Sequence, residues 1–179
     1  MRGLAFDILR DPRGLHSEDI IILPGVGTFR QGIEYLQLQE LSSTIRNHAE
    51  EGGQVIGICL GMQLMLETSD ESPGIRGLGI IPGSCKRIPV HKEFSVPHIG
   101  WNAIQFSQIG IANYRELALD SGYSRSDYYF VHSYYANPRD TQNILALFEH
   151  PLGNLTSAVC KGRSIGFQFH PEKSLSLIH

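Results

Sequence analysis

The sequence places one cysteine in a setting that suits a nucleophile. Cys59 lies in Gly57-Ile58-Cys59-Leu60-Gly61, directly after a short apolar run. Small flanking residues permit a sharp strand-to-helix turn that pushes the central side chain out above a sheet. We expect the N-terminal field of the following helix to favour the thiolate. Taken alone, the motif leaves a buried core cysteine beside a glycine turn as an equal alternative.

A second segment supplies a candidate base. His170 and Glu172 flank Pro171 in Gln168-Phe169-His170-Pro171-Glu172. Residues two apart in extended backbone face the same side, so Glu172 can orient His170 while His170 takes the proton of Cys59. The combination predicts a catalytic triad of cysteine, histidine and glutamate. Without the cysteine motif, a plain surface turn is the commoner interpretation of His-Pro-Glu.

A glycine-rich loop offers backbone donors. Pro24-Gly25-Val26-Gly27 follows the apolar run 20–23, and such loops let N–H groups approach a ligand closely. An oxyanion hole needs donors of this kind, and we expect them to be the N–H groups of Val26 and Leu60. The alternative is an ordinary strand-to-helix loop.

The elements that position these residues follow from the apolar pattern. The runs 20–23 and 55–58 predict buried parallel strands. The spacing between Phe29 and Ala49 predicts a helix that ends at Gly52-Gly53, and a short helix is predicted over 62–68. Later strands are predicted over 77–90, 95–106, 128–131, 144–148, 157–160 and 165–169, with a hairpin at 161–163. The pattern favours one α/β domain over residues 1–179, with a mostly parallel central sheet flanked by helices and additional antiparallel strands.

Composition narrows the function classes. The chain has 179 residues, with 15 Lys+Arg against 18 Asp+Glu and no basic run, so nucleic acid is a poor candidate partner. No stretch of 18 apolar residues and no signal-peptide core exist, so we expect no membrane span and a cytoplasmic protein. Cys59, Cys85 and Cys160 show no metal-ligand spacing, and neither a metal nor a cofactor is expected.

Six segments together resemble a known family. They are LPGVGTF at 23–29, GICLGMQLM at 57–65, GLGIIPG at 77–83, VPHIGWN at 96–102, YFVHSYY at 129–135 and GFQFHPEKS at 166–174. In this order they resemble the class I (triad) glutamine amidotransferases. Within that family the match is close to the glutaminase subunits of imidazole glycerol phosphate synthases, of histidine biosynthesis.

The resemblance implies an activity and a binding site. Cys59, His170 and Glu172 match the family triad, which hydrolyses glutamine to glutamate and ammonia through a cysteine thioester. Gln63 matches the residue that holds the amino-acid end of glutamine. The backbone of Gly27, Ser133 and Tyr134 lies where the family binds the substrate.

The resemblance also implies a partner. Family members form a heterodimer with a (β/α)₈-barrel synthase, or cyclase, subunit. That subunit uses the ammonia to make imidazole glycerol phosphate and an aminoimidazole carboxamide ribotide. The match would place Trp101, Tyr129 and Lys173 at the docking face. A core tryptophan, a core tyrosine and a solvated lysine are the alternatives.

The two ends depart from the family pattern. Leu4 to Leu9 resembles the second strand of the family, so the first strand-helix unit is expected to be lacking. Only residues 175–179 follow Ser174, where the family has a closing helix. Two other functions therefore stay open. One is the same glutaminase chemistry feeding an amino-sugar synthase, and the other is a truncated, non-catalytic module that binds the barrel.

Overall fold

The computed structural model describes residues 6–108 and 127–174. Its strands are β1 (Ile20–Leu23), β2 (Gln54–Ile58), β3 (Thr68–Ser69), β4 (Gly83–Arg87), β5 (His98–Phe106), β6 (Asp127–His132), β7 (Tyr134–Pro138), β8 (Ile144–Phe148), β9 (Leu155–Lys161) and β10 (Ser164–Phe167). Its helices are α1 (Phe29–Leu38), α2 (Leu41–Glu50), α3 (Leu60–Leu64) and the single turn α4 (Pro171–Ser174). No helix in these two ranges is long and apolar enough to cross a membrane.

All ten strands belong to one mixed sheet. The main path runs β1-β2-β10-β9-β7-β4-β3, while β8 joins β9 to β5 and β5 carries β6. The β1–β2, β2–β10 and β3–β4 pairs are parallel, and the remaining pairs are antiparallel. The α/β class is thus confirmed. Two of the parallel pairs join β1, β2 and β10, with α1 and α2 forming the crossover between β1 and β2, whereas consecutive strands joined by short turns, such as β9 and β10, are antiparallel.

Two apolar clusters hold the elements together. One joins α1, α2 and α3 to β1 and β2, with Phe29, Met62 and Met65 fully buried. The other lies among β6, β8, β9 and β10, around Phe130 and Phe148. The end of β2 and the end of β10 lie between the two clusters, so packing on both sides fixes the segments that carry the candidate site.

The helix predicted over 29–49 is two helices. The chain breaks at Glu40, whose backbone is left-handed with φ 56°. Buried residues in α1 recur at Ile33 and Leu36, but the next one is Leu41, five positions on. Five residues turn a helix well past one full turn, so a straight helix would point Leu41 away from the core. The break restores its burial.

Other bounds also differ from the predictions. Helix α3 covers Leu60–Leu64 rather than 62–68, and only Gly83–Arg87 of the segment 77–90 is a strand. Strand β7, Tyr134–Pro138, was not predicted, because Ser133 separates it from β6 by a single residue. The hairpin at 161–163 is confirmed by the pairing of Lys161 with Ser164.

The strand predicted at Leu4 to Leu9 is wrong in its described part. Residues 6–9 form no strand, and the Phe6 side chain is 92% exposed. A strand needs a neighbour for its N–H and C=O groups, and no described strand pairs with this segment. Leu4 itself and the predicted lack of a closing helix at 175–179 lie outside the described residues.

Candidate active site

The turn around Cys59 has the geometry expected of a nucleophile elbow. Cys59 adopts φ 55° and ψ −109°, a conformation that non-glycine residues rarely adopt. Its N–H donates to the Phe167 carbonyl at 2.7 Å, which ties the turn to the end of β10. A Cβ at Gly61 would collide with the Leu23 carbonyl oxygen, and one at Gly57 would lie 2.7 Å from the Met62 nitrogen. Both glycines are therefore sterically required, as the sequence predicted.

Burial and hydrogen bonding act on the pKa of the Cys59 thiol in opposite directions. Burial, the largest cause, raises the pKa of Cys59, and the Glu172 carboxylate adds to this rise. The Leu60 N–H at the start of α3 and the Gln168 side-chain amide lower the pKa by hydrogen bonding. The expectation that the helix N-terminus favours the thiolate stays a prediction.

His170 and Glu172 are paired, but through a different local structure. The His170 Nδ1 lies 2.7 Å from the Glu172 Oε1. The segment is not extended, since α4 begins at Pro171 and the helical turn brings Glu172 back to the ring. A carboxylate only accepts, so Nδ1 carries the hydrogen and Nε2 is the basic nitrogen of His170.

Strand β6 brings the cysteine and the histidine to the same place. The His170 N–H donates to the Tyr129 carbonyl at 2.9 Å. Two residues along the strand, the Val131 carbonyl oxygen lies 4.0 Å from the Cys59 sulfur. Residues two apart present their groups on the same side of a strand, so both predicted catalytic residues lie against one edge of β6.

The predicted oxyanion donors lie on adjacent segments. A Cβ at Gly25 would lie 3.2 Å from the Leu60 Cβ, so the loop 24–27 packs against the start of α3. Val26 is 89% exposed. The Leu60 N–H lowers the pKa of the Cys59 thiol and so lies close to the sulfur. The role of Val26 and Leu60 as an oxyanion hole stays a prediction.

Two of the predicted substrate residues contact each other directly. The Gln63 Nε2 donates to the Tyr134 carbonyl at 3.1 Å. The Ser133 carbonyl accepts the Ile88 N–H, which fixes the turn between β6 and β7. Gly27, with φ 106°, ends the glycine-rich loop. The contact of these four residues with glutamine stays a prediction.

The predicted docking residues form one exposed patch. Trp101 is 47% exposed, so the core alternative for it is wrong. It faces Tyr129 across the β5–β6 pair at 5.7 Å between ring centroids, and the Lys173 Nζ lies 4.2 Å from the Tyr129 ring centre. Ile99 and Val131 extend the same face and are also exposed. Sequence reasoning missed these two, although both alternate with the buried positions of their strands.

Gln168 was also missed. Its side chain is completely buried, and its Nε2 lies 3.9 Å from the Cys59 sulfur. The sequence feature that could have revealed Gln168 is its position two residues before His170, on the segment that carries the candidate base. Among the described residues, no group of three or more His, Cys, Asp or Glu side chains is placed to hold a metal ion.

The chain matches known proteins over most of its length. The model of the "Glutamine amidotransferase class-I" family matches residues 6–178. A relative from Streptococcus gordonii, "Imidazole glycerol phosphate synthase subunit HisH", is 39% identical over 96% of this chain and 79% of its own. Relatives of the same name from Moorella thermoacetica and Thermotoga maritima are 38% and 37% identical over 96% of this chain and 78% and 76% of theirs.

Solved structures show the same fold. A protein described as a glutamine amidotransferase superposes with a TM-score of 0.67 at 18% identity, covering 93% of this chain and 77% of its own. A second one, from Thermotoga maritima, gives a TM-score of 0.57 at 18% identity, covering 90% and 62%. At 18% identity these two structures show only that the fold is shared. The family is shown by the family model and by the relatives at 37–39% identity. The chain belongs to the class I glutamine amidotransferases.

Proposed function

We propose that this chain is the glutaminase subunit of an imidazole glycerol phosphate synthase, with Cys59, His170 and Glu172 as its catalytic triad. The observation that carries the proposal is the meeting of a strained cysteine elbow with a carboxylate-oriented histidine along one edge of β6. The name of the relatives at 37–39% identity supports the choice of synthase.

The first half-reaction forms a thioester. His170 Nε2 takes the proton of the Cys59 thiol, and the sulfur attacks the side-chain amide carbon of glutamine. The carbonyl π electrons move to the oxygen, which becomes an oxyanion. The electrons then return, the C–N bond breaks, and the nitrogen leaves as ammonia with the proton from the His170 imidazolium. Glu172 keeps Nδ1 protonated throughout and stabilises the imidazolium.

The second half-reaction releases glutamate. His170 Nε2 removes a proton from water, and the hydroxide oxygen attacks the thioester carbon. When the tetrahedral intermediate collapses, the C–S bond breaks and its electron pair leaves on sulfur. The proton held by His170 returns to the thiolate. The sum is glutamine plus water to glutamate plus ammonia, with the enzyme regenerated.

Gln63 is suited to bind the ammonium end of glutamine. Both N–H groups of its amide are used within the protein, toward the Tyr134 carbonyl and the Gln168 Oε1. No described group donates to the Gln63 Oε1. A carbonyl oxygen beside the nucleophile accepts hydrogen bonds from an α-ammonium group, whereas an N–H donor would repel it.

We further propose that the patch of Ile99, Trp101, Tyr129, Val131 and Lys173 docks a (β/α)₈-barrel subunit in a cytoplasmic heterodimer. Exposed aromatic and aliphatic side chains near a catalytic residue are typical of an interface core. Tyr129 accepts the His170 N–H through its carbonyl, so a partner on this patch lies beside the triad and receives ammonia without its loss to solvent.

The glutaminase rate with and without the barrel subunit tests the function. We expect the chain alone to be weakly active, because the Val26 N–H would complete the oxyanion hole only when the loop 24–27 reorients in the complex. The loss of one such donor slows a reaction by roughly 10²- to 10³-fold. The purified barrel subunit with its nucleotide substrate should raise the rate, and an amino-sugar synthase should not. Cys59→Ala should abolish activity in both states. Cys85→Ala is the matched control, since Cys85 is also buried but its thiol donates to the Gln63 backbone carbonyl at 3.6 Å. Full retention of activity in Cys59→Ala would contradict the proposal.

A further inference from the structure

A buried amide contacts the sulfur of Cys59. Gln168 follows β10, and its side chain has no solvent-accessible surface. Its Nε2 lies 3.9 Å from the Cys59 sulfur, and its Oε1 lies 3.1 Å from the Gln63 Nε2. None of the three triad roles involves this side chain. A completely buried amide needs hydrogen-bond partners at both ends, and Cys59 is one of the two.

The direction of the Gln168 amide is set by its neighbours. The Tyr134 carbonyl oxygen can only accept, so the Gln63 atom facing it at 3.1 Å must be the NH₂ group. The second hydrogen of that NH₂ group then points at Gln168, which must present its oxygen there. The NH₂ group of Gln168 therefore faces Cys59. Reversing this amide would set two donors against each other.

The hydrogen bonds that fix the Gln63 amide continue to side chains of two other strands, β5 and β6. The Tyr134 carbonyl also accepts the Nδ1–H of His132 at 2.8 Å. The Nε2 of His132 is then an acceptor, and it lies 3.1 Å from the Nδ1 of His98. The side chains of Gln63, His98 and His132 are buried. Rotation of the Gln63 amide would break a bond on an oxygen that is held from β5, β6 and β7 together.

We propose that Gln168 is a further catalytic residue, whose side-chain amide donates a hydrogen bond to the sulfur of Cys59, and that Gln63 is its positioning residue. The inference rests on the proposed function, because it concerns the same thiol. The sulfur is anionic twice in the reaction. It is anionic when it attacks the amide carbon of glutamine, and again when the C–S bond of the thioester breaks and the electron pair stays on sulfur. A donor that is already in place stabilises both states.

Gln168 is needed because the other donor has a second task. The Leu60 N–H acts on the pKa of the same thiol, and it is also the predicted donor to the substrate oxyanion. One N–H group aimed at the oxyanion is not aimed at sulfur. Gln168 approaches from a different element, directly after β10, so its contact with sulfur does not depend on where the Leu60 N–H points.

The pH dependence of Cys59 alkylation by iodoacetamide tests this. Iodoacetamide reacts with the thiolate and has no amino-acid end, so the substrate-binding role of Gln63 does not enter. The charged groups that act on the pKa of the thiol are Glu172 and Lys173 of α4. The imidazole of His170 is paired with Glu172, and that of His132 interacts with His170. These groups stay unchanged in the variants, so any difference belongs to the altered amide.

Three variants separate the outcomes. Gln168→Met keeps the length and loses the donor, and Gln168→Glu also places a carboxylate near the sulfur. At pH 7 we expect Gln168→Met to react roughly tenfold more slowly, since a charge-assisted hydrogen bond changes an ionisation equilibrium by about that factor. Gln168→Glu should react more slowly still, with both profiles moved to higher pH. Gln63→Met, which frees the Gln168 amide to rotate, should move the profile in the same direction by less.

The control is Ser157→Ala. Ser157 is completely buried beside Gln168, and its carbonyl accepts the Gln168 N–H, while its hydroxyl has no partner among the described residues. Its alkylation profile should match the wild type, and thermal melting of every variant verifies the fold. Wild-type profiles in folded Gln168→Met and Gln168→Glu would overturn the inference and leave the glutaminase proposal standing. Shifted profiles in a chain that shows no glutaminase activity with any partner would overturn the function and leave the amide–sulfur contact standing.

Discussion

The residues around Cys59 show which parts of a site a sequence can reveal. Two glycines with a cysteine between them predicted the elbow, because the steric requirement is local and acts on neighbours in the chain. The pKa of Cys59 was not predictable in this way. It depends on burial and on Gln168 and Glu172, which lie more than 100 positions away and meet the thiol only in the folded chain.

The roles of His170 and Glu172 predict how much glutaminase activity is lost when each residue is replaced. His170→Ala removes both the base and the acid, so the glutaminase rate with the partner bound should fall by roughly 10²- to 10⁴-fold or more. Glu172→Gln keeps the shape and loses the charge that stabilises the imidazolium, and its loss should be smaller. Steady-state rates on the same complex measure both. A larger loss in Glu172→Gln than in His170→Ala would contradict the assigned roles.

At the scale of helices and strands, elements with a regular apolar pattern could be predicted from the sequence. The breaks between elements were harder to predict. The strands β1 and β2 follow from uninterrupted apolar runs. The prediction that the run 20–23 is buried is wrong for one face, since Ile20 and Ile22 are exposed and only Ile21 and Leu23 are buried. The break at Glu40 is visible only as a five-residue step between Leu36 and Leu41, which a single helix cannot bury on one face. Strand β7 starts one residue after β6 ends, and no turn signal separates them. Its place in the sheet comes from pairing with β4, a contact distant in sequence.

Gly61→Ala tests how tightly α3 packs on β1. The added Cβ would collide with the Leu23 carbonyl oxygen, which is backbone and cannot move aside alone. We expect the free energy of unfolding to fall by about 1–3 kcal/mol, as for other overpacked sites. Urea denaturation measures it. Gly14→Ala is the control, because its Cβ would have its nearest contact at 3.7 Å, on the Leu9 side chain. Equal losses in the two variants would show that the close packing of α3 on β1 is not the cause.

The histidine pair that joins β5 to β6 predicts a loss of stability in acid. Burial lowers the pKa of His98 to about 4 and that of His132 to about 3, from 6.5. Below about pH 6.5 the unfolded chain therefore binds protons that the folded chain does not, and the free energy of unfolding falls as the pH drops toward 4. Each residue contributes up to about 1.4 kcal/mol per pH unit.

Urea denaturation at pH 7, 6 and 5 measures this slope. The double variant His98→Asn, His132→Asn removes both titrating groups, so its free energy of unfolding should depend less on pH over the same range, whatever its value at pH 7. An unchanged slope would mean that other groups cause the acid sensitivity.

On the scale of the whole molecule, two exposed apolar surfaces of the described residues differ in their chemistry. The patch that contains Trp101 and Tyr129 lies beside the triad and is rimmed by Lys173, as expected of a surface that meets a partner. The second surface is the outer edge of β1, which has only β2 as a neighbour in the described sheet. The first combines aromatic side chains with a cation, whereas the second is aliphatic and borders backbone groups that no strand of residues 6–108 or 127–174 pairs with.

The exposed outer edge of β1 predicts that copies of this chain associate with one another. Ile20 and Ile22 are 55% and 57% exposed on one face of β1, next to a row of backbone groups that no described strand pairs. Such an edge adds strands from other chains, and lysines on it prevent this. The double variant Ile20→Lys, Ile22→Lys should therefore stay monomeric at higher protein concentration than the wild type, with its melting temperature little changed. Leu38→Lys is the control, since Leu38 is exposed at the end of α1, away from any sheet edge. Light scattering over a concentration series measures association, and equal improvement in the control would show that general surface hydrophobicity, not the edge of β1, drives it.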